Sequence, residues 1–582
     1  MTRLWNDPAD FADEMTAGFV AAHERYVRRV PGGVVRSTTS PDGQVAVVVG
    51  GGSGHYPAFA GLVGQGLAHG AAMGNLFASP AAAQVYSVAA AAHRGGGVLL
   101  SYGNYAGDVL NFDAAQEKLR ADDIACETVV VTDDIFSAPP AEKHKRRGIA
   151  GDLTVFRTAA AAAEAGYDLA GVVEVARRAN ERTRSFGVAF SGCTLPGAGR
   201  PLFTVPEGRM AVGLGIHGEP GIEETEVPTA DGLAEMLVAR LLDELPDGVP
   251  AAAGARVVPI LNGLGSLKYE EMFVVYRRIA HLLTEAQLQV VDPHVGEYCT
   301  SFDMAGTSLT LFWLDDELER LWYAPVDTPA YRRGTVAPAA RQETTSPGAG
   351  QATGDGPGAV PPSDEDARAV AAIVHTALRT IAETMDAHAE HLGRLDQVAG
   401  DGDHGIGMRR GAQAAVAAAT EAIQAEAGAR TTLRRAADAW AERAGGTSGA
   451  LWGVMLAAVA DRLGDTGKPS AVDVAAGVAS ASRDVAAYGK AAVGDKTLVD
   501  ALVPFSTELT RAVEAGASLP AAWTDAAAAA TRAAAATADL LPRVGRARPH
   551  AQKSLGTPDP GAHSLALVVT AVAGVLDDTG RN

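Results

Sequence analysis

Gly334-Thr-Val-Ala-Pro338, Thr344-Thr-Ser-Pro-Gly-Ala-Gly350 and Gly354-Asp-Gly-Pro-Gly-Ala-Val-Pro-Pro-Ser363 belong to one stretch, 333–364, that divides the chain. Pro, Gly, Ser and Thr dominate it and apolar periodicity vanishes. No buried face can form there, so a flexible linker is expected. Before it, apolar runs at 45–49, 97–101, 128–131, 257–261 and 288–291 read as buried strands. Ala-rich helical patterns at 81–93 and 154–165 lie between them, and that alternation predicts α/β layering. Further strand-like pieces at 187–191 and 308–313 allow a second α/β lobe. After the linker the chain turns to Ala, Leu and Arg with hardly a β-branched run. Eight helical segments, near 365–391, 408–426, 431–444, 450–463, 471–487, 496–514, 520–540 and 563–577, predict an all-α domain. The reading is therefore multidomain: 1–332 α/β, 333–364 linker, 365–582 all-helical.

Bulk properties narrow the function. The 582 residues carry 49 Lys and Arg against 69 Asp and Glu, a net charge of −20. That repels nucleic acid, and the one short basic run, Lys143-His-Lys-Arg-Arg147, reads as a solvated loop. Cys126, Cys193 and Cys299 are scattered and form no CxxC pair. They suit neither a disulfide framework nor a zinc site, and a reducing cytoplasm is expected. Met1-Thr-Arg-Leu-Trp-Asn-Asp-Pro8 has an early acid and no apolar core, unlike a signal peptide. Apolar runs such as 88–92 are too short to cross a bilayer, so no membrane partner is expected.

In the helical part, Leu395-Asp-Gln-Val-Ala-Gly-Asp-Gly-Asp-His-Gly405 sets Asp396, Asp401 and Asp403 among glycines. Their spacing does not place all three on one face of a continuous helix. On a loop between helices they can converge, and three hard oxygen ligands suit Mg²⁺. An isolated Gly-Asp-Gly-Asp is equally a solvated acidic turn. Gly445-Gly-Thr-Ser-Gly449 before a helix offers backbone N–H groups and two hydroxyls to an anion. Gly489-Lys-Ala-Ala-Val-Gly-Asp-Lys-Thr497 is a second Gly/Lys loop, but Asp495 breaks the Walker A spacing. With Arg546 and Asp559-Pro-Gly561, these loops point to a nucleotide site that is not a P-loop.

In the α/β part, the strand at 45–49 runs into Gly50-Gly-Gly-Ser-Gly-His-Tyr-Pro57, a strand–glycine loop of the kind that binds ligands. His55 is there a ligand contact or a structural histidine. Ser101-Tyr-Gly-Asn-Tyr-Ala-Gly-Asp108 follows another strand and sets Asp108 at its carboxyl end, where an acidic helix cap is the plainer alternative. The sharpest residue is His217 in Gly213-Leu-Gly-Ile-His-Gly-Glu-Pro-Gly221. A neutral imidazole on such a turn can add to an electrophilic carbonyl and form a hemiaminal.

Taken together, these segments resemble the single-chain, ATP-dependent dihydroxyacetone kinase family over nearly the whole length. The likeness runs through 50–61, 104–112, 148–151, 213–221, 262–265, 296–311, 400–405, 445–449, 494–504 and 559–561, in order. The resemblance implies a substrate-binding K domain of two α/β lobes and a nucleotide-binding L domain built as an eight-helix barrel. It implies that His217 holds a small ketose covalently. Gly52, Ser53, Gly54 and His55 would cradle the substrate, and Asp108 or His55, with Asp108 favoured, would take the hydroxyl proton. Asp396, Asp401 and Asp403 would hold Mg²⁺. His404, Gly405, Ile406, Gly407, Thr447, Ser448, Gly489, Leu498, Arg546, Asp559, Pro560 and Gly561 fall at ATP-contact positions. A homodimer is implied as well. One departure stands out: the family's usual Lys-Asn-Tyr-Thr-Gly-Asp reads Gly103-Asn-Tyr-Ala-Gly-Asp108 here. Losing the long side chain makes room, which favours a larger ketose such as erythrulose over dihydroxyacetone. Three other readings use the same parts: a phosphotransferase relay in place of free ATP, cyclising cleavage of FAD at the L-domain metal site, and a non-catalytic sugar-sensing coregulator.

Overall fold

In the computed structural model the described residues are 4–217, 221, 223–341, 360–400, 402–545 and 547–579. The chain divides into two compact units, Met1–Glu343 and Thr344–Asn582.

The first unit is built on two sheets. Six strands run in the order Val27–Val30, Gly33–Arg36, Gly70–Leu76, Ala46–Ser53, Val98–Gly103, Cys126–Val131, and the last four are mutually parallel. All eight residues of Ala46–Ser53 are buried, as a strand covered on both faces requires. Alternate side chains enter different cores. Val47, Val49, Leu99 and Val131 pack on the helices Asp152–Glu164 and Leu169–Glu181, and Ala46, Val48, Val98 and Leu100 on Ala82–Ala92 and Ala106–Ala121. The second sheet centres on Arg256–Gly263, Gly306–Trp313 and Thr183–Ala189, paired antiparallel. Every residue from Asp152 to Ala163 is buried, because this helix meets both sheets: its core also holds Ala189, Val258, Ile260 and Phe312. Five consecutive alanines, Ala159 to Ala163, keep it slim enough for that place.

The second unit shows, among the described residues, eight α-helices from Glu365–Asp396 to Pro560–Thr579. The last packs on the first and closes the ring. Small side chains let the helices approach, and Trp440 and Trp452 fill the space left, stacked at 4.9 Å and 15°. Pro560–Asp578 is long and apolar enough to cross a membrane by length and composition, with mean hydropathy 1.4. Its Leu565, Val568 and Val569 are buried in the helical core.

Three expectations change. The run at 288–291 is no buried strand: only Gln289–Val290 pairs, at the sheet edge, with both residues exposed. The residues 333–341 are held by the α/β unit, where Gln65 Nε2 donates to the Ala337 carbonyl at 3.0 Å and Thr39 N to that of Ala340 at 2.8 Å. The rest of the expected linker, through 359, lies outside the described residues. The basic run is solvated only in part: Lys143, His144 and Lys145 are exposed, while Arg146 and Arg147 turn inward. Arg146 is fully buried and grips Glu244 through both terminal nitrogens, at 2.6 and 2.8 Å. A guanidinium accepts such burial only because a bidentate carboxylate matches it.

Gly411 tests the packing of the helical unit. A Cβ there would stand 2.6 Å from the Trp440 ring, which has no room to retreat. Gly411→Val is expected to destabilise this unit by roughly 1–3 kcal/mol through overpacking. Urea melts followed by tryptophan fluorescence check it; an unchanged midpoint contradicts the packing described.

Candidate functional site

Strand Ala46–Ser53 delivers its glycine loop against the backbone of residues 77 and 78. A Cβ on Gly52 would come within 2.8 Å of Ala78 N, and Gly54 has φ +103°, so glycine is required at both. Ser53 Oγ pins the turn by donating to the Gly74 carbonyl at 2.6 Å. His55 is then fully buried, with Nδ1 2.8 Å from the Thr300 carbonyl. A carbonyl only accepts, so Nδ1 carries the proton of the neutral ring and Nε2 presents its lone pair.

His217 meets this ring. The two imidazoles stand edge to face at 4.6 Å, and Tyr105 closes on His217 at 4.1 Å. Phe77 stacks on His55 at 5.0 Å. Burial leaves His217 4% exposed. Its turn is anchored at Gly213, where φ is +71° and a Cβ would strike Phe136 at 1.9 Å. Arg147 Nη2 donates to the Gly213 carbonyl at 2.8 Å while the same guanidinium pairs with buried Asp134. The basic run thus positions the His217 turn. Gly218, Glu219 and Pro220 lie outside the described residues. Asp108 is buried in the first turn of Ala106–Ala121; the N-cap is Tyr105, so Asp108 is not a cap.

Asn262, within the likeness at 262–265, is a site residue to which sequence reading gave no role. Fully buried, it accepts from Tyr298 N at 2.8 Å and Cys299 N at 3.0 Å, and donates to the Cys299 carbonyl at 2.8 Å. It thereby fixes the segment whose Thr300 carbonyl holds His55. The Asn-Gly pair at 262–263 was the available signal, and it reads in sequence only as a turn.

In the helical unit, three helix N-termini meet at His404. His404 opens His404–Gln424, with Nε2 2.9 Å from Ser564 Oγ and Nδ1 3.3 Å from Ser448 Oγ. Thr447 and Ser448 lie in the first turn of Gly446–Leu463, and Ser564 in that of Pro560–Thr579. Converging N-termini present N–H groups and positive dipole ends to an anion. Gly405, Ile406 and Gly407 continue the first of these turns. Leu498 lies beside Gly561, whose Cβ would stand 3.4 Å from it, and Gly489 ends Ala471–Tyr488 facing Leu451. Lys496 Nζ is engaged by the Ser554 and Leu540 carbonyls, unlike a P-loop lysine.

Carboxylates border this anion site. Asp396 is the last residue of Glu365–Asp396, on the helix end and not in the loop, and its Oδ2 accepts from His404 N at 3.3 Å. Burial, then Asp396, pushes the Asp403 carboxyl up to about 7. Asp559 is likewise pushed up to about 7, by burial first and by Asp396 and Asp500, against a bond from Ala562 N. Such mutual repulsion between hard oxygen donors is what a divalent cation relieves, and the donor set fits Mg²⁺. Asp401 and Arg546 lie outside the described residues, and among the described residues no group of three or more His, Cys, Asp and Glu is arranged as a metal site.

Residues 17–330 match the Dak1 domain and residues 398–574 the DAK2 domain. The chain belongs to the dihydroxyacetone kinase family. It is a phosphotransferase that uses a hydroxyl group as acceptor. It is 61% identical to the L-erythrulose kinase of Pectobacterium atrosepticum over 577 residues, 99% of this chain and 97% of that one. It is 54% identical to the D-erythrulose kinase of Mycolicibacterium smegmatis, across the full length of both. The crystal structure of the dihydroxyacetone kinase from C. freundii with AMP-PNP and Mg²⁺ superposes with a TM-score of 0.52 at 28% identity, over 98% of this chain and 99% of that one. The expected fold, an α/β domain followed by an all-helical one, is the family's.

Asn262→Ala strands the buried Tyr298 and Cys299 N–H groups, with an expected cost of about 1–3 kcal/mol. Loosening Thr300 frees His55, so kcat/KM is expected to fall on the order of 10- to 100-fold. Urea melts and steady-state kinetics check both. Parent-like values would show that Asn262 does not hold the site.

Proposed function

We propose that this protein transfers the γ-phosphate of ATP to a terminal hydroxyl of erythrulose, with dihydroxyacetone the poorer acceptor. The observation that carries this reading is His217, buried at 4% exposure with its ring against His55 and Tyr105. A nucleophilic ring held beside a hydrogen-bonding imidazole suits capture of a carbonyl. The D- and L-erythrulose kinases among the relatives support a four-carbon ketose. At Gly103 the space a side chain would take is filled by the Gly148 backbone and the Tyr105 ring, 3.3–3.4 Å from a Cβ there, so the loss of the family's lysine does not by itself open room for the substrate.

The chain's residues divide the work. A ring nitrogen of His217 bonds to the carbonyl carbon while the C=O π pair moves to oxygen, and the proton released from the imidazole reaches that oxygen. The ketose is then fixed at a tetrahedral carbon. His55 Nε2 accepts from a substrate hydroxyl in the cradle of Gly52, Ser53 and Gly54. Asp108 takes the proton from the attacking hydroxymethyl group. In the helical unit, the turns at His404, Thr447 and Ser448 and at Pro560 and Gly561, with Gly489, Leu498, Arg546 and Asp559, hold the nucleotide. Asp396, Asp401 and Asp403 would hold Mg²⁺, which would supply neutralisation of phosphate charge. The hemiaminal gives selectivity, because glycerol has no carbonyl to capture. A cytoplasmic homodimer is the expected state, and sedimentation at micromolar concentration reports the assembly: a monomer would contradict it.

Coupled ADP release with D-erythrulose, L-erythrulose, dihydroxyacetone and glycerol tests the reading. At least one erythrulose enantiomer is expected to exceed dihydroxyacetone in kcat/KM by about 10-fold or more, with no turnover of glycerol. Glycerol turnover equal to that of the ketoses would remove carbonyl capture from the account. Asp403→Asn replaces an anionic ligand by a neutral amide, so the rise in melting temperature with Mg²⁺ and ATP is expected to vanish while the unliganded melt persists. A full ligand-induced rise in that variant contradicts the metal assignment.

A further inference from the structure

The helix Asp152–Glu164 opens with a carboxyl that nothing above employs. Asp152 is 1% exposed, and neither side-chain oxygen has a hydrogen-bond partner among the described residues. Burying a carboxyl without partners costs several kcal/mol in order of magnitude, so a native protein keeping one calls for an explanation. Its neighbours deepen the cost. Asp133 lies close by, its own oxygens satisfied by Ile149 N and Gly151 N at 2.8 Å each. Burial, then repulsion from Asp133 and Asp108, holds the Asp152 carboxyl well above the usual carboxylate range. The shift favours the protonated form, which can donate one hydrogen bond and accept another.

The surroundings of this acid lead towards the substrate. A Cβ on Gly148 would stand 3.1 Å from Asp152 Oδ1 and 2.4 Å from Gly103 Cα. A Cβ on Gly103 would stand 3.4 Å from the Tyr105 ring edge, and that ring closes on His217 at 4.1 Å. Two residues without side chains thus separate the acid from the aromatic wall of the ketose site. Asp108, assigned above as the base, couples to the same acid from the first turn of its own helix.

We propose that Asp152 is a specificity-determining residue whose carboxyl hydrogen-bonds the additional hydroxyl of a four-carbon ketose. The proposal rests on the reading that erythrulose is the acceptor. A three-carbon ketose leaves the acid unpaired, and a site built around a buried polar partner discriminates strongly against the analogue lacking the matching group. The acid is thus costly in the empty site and satisfied only by the longer substrate.

The ratio of kcat/KM for erythrulose to that for dihydroxyacetone reads the proposal, because a structural role would move both substrates together. Asp152→Leu keeps the branched shape with larger methyl groups and strands no partner, so Asp152→Ala, which only removes volume, is measured beside it to separate overpacking from loss of the acid. In the leucine variant the ratio is expected to drop on the order of 100-fold, with dihydroxyacetone turnover changed less than about threefold. Asp152→Asn keeps a donor and an acceptor in the same place, and its ratio should stay within about threefold of the parent. Should the leucine variant not fold, Asp152→Ala carries the same expectation. Equal losses on both ketoses, or an unchanged ratio in the leucine and alanine variants, would overturn the role of Asp152 and leave the kinase reading intact. Failure of the parent protein on both ketoses would instead overturn that reading.

Discussion

The candidate site in the α/β unit hangs on the junction where His55 Nδ1 donates to the Thr300 carbonyl at 2.8 Å, with Phe302 N on the Gly54 carbonyl, also at 2.8 Å, beside it. His55 follows a strand of the first sheet, while Thr300 belongs to the segment that Asn262 holds against the second. The bond therefore joins the two lobes of the α/β unit at the place where His217 arrives. It also selects the His55 tautomer with the proton on Nδ1. The rest of the unit serves this junction. Double burial of Ala46–Ser53 sets where its glycine loop ends, the slim alanine face of Asp152–Glu164 lets both sheets close on one helix, and Arg147 braces the Gly213 turn.

The helical unit solves a different electrostatic problem. A nucleotide brings several negative charges, and this chain has a net charge of −20. Three helix N-termini meeting at His404 supply positive potential without a cluster of lysines. Asp396, Asp403 and Asp559 then crowd the same place, and burial with mutual repulsion pushes two of them up to about 7. A divalent cation would relieve that repulsion, and the anion cradle and the acidic rim would then serve one phosphate site.

Much of this was legible in sequence wherever pattern and burial agree. A strand buried on both faces shows as an unbroken apolar run, and 45–49 is one. Eight Ala-rich segments, several separated by glycine turns, read as the eight α-helices seen among the described residues. The misreadings arise where a partner distant in sequence decides. At 288–291 the apolar letters sit on an exposed edge, since pairing, not composition, makes a strand interior. In Lys143-His-Lys-Arg-Arg147 the first three residues are exposed as expected, but Arg146 and Arg147 turn inward to Glu244 and Asp134, which lie elsewhere in the chain. Asp396 reads as a loop residue although helix continues through it. Asn262 lay in the likeness at 262–265 without a role and Asp152 just past that at 148–151: one is defined by the backbone groups it satisfies, the other by partners it lacks.

The central claim is that His217 holds the ketose through a covalent bond to its carbonyl carbon. Carbon-13 NMR of erythrulose labelled at that carbon, bound to the parent protein and to His217→Ala, tests it most directly. The account predicts that the bound signal leaves the ketone region for that of a tetrahedral carbon in the parent protein and not in the variant. A bound ketose that keeps its ketone signal in the parent protein, or a tetrahedral signal that survives in His217→Ala, would contradict it.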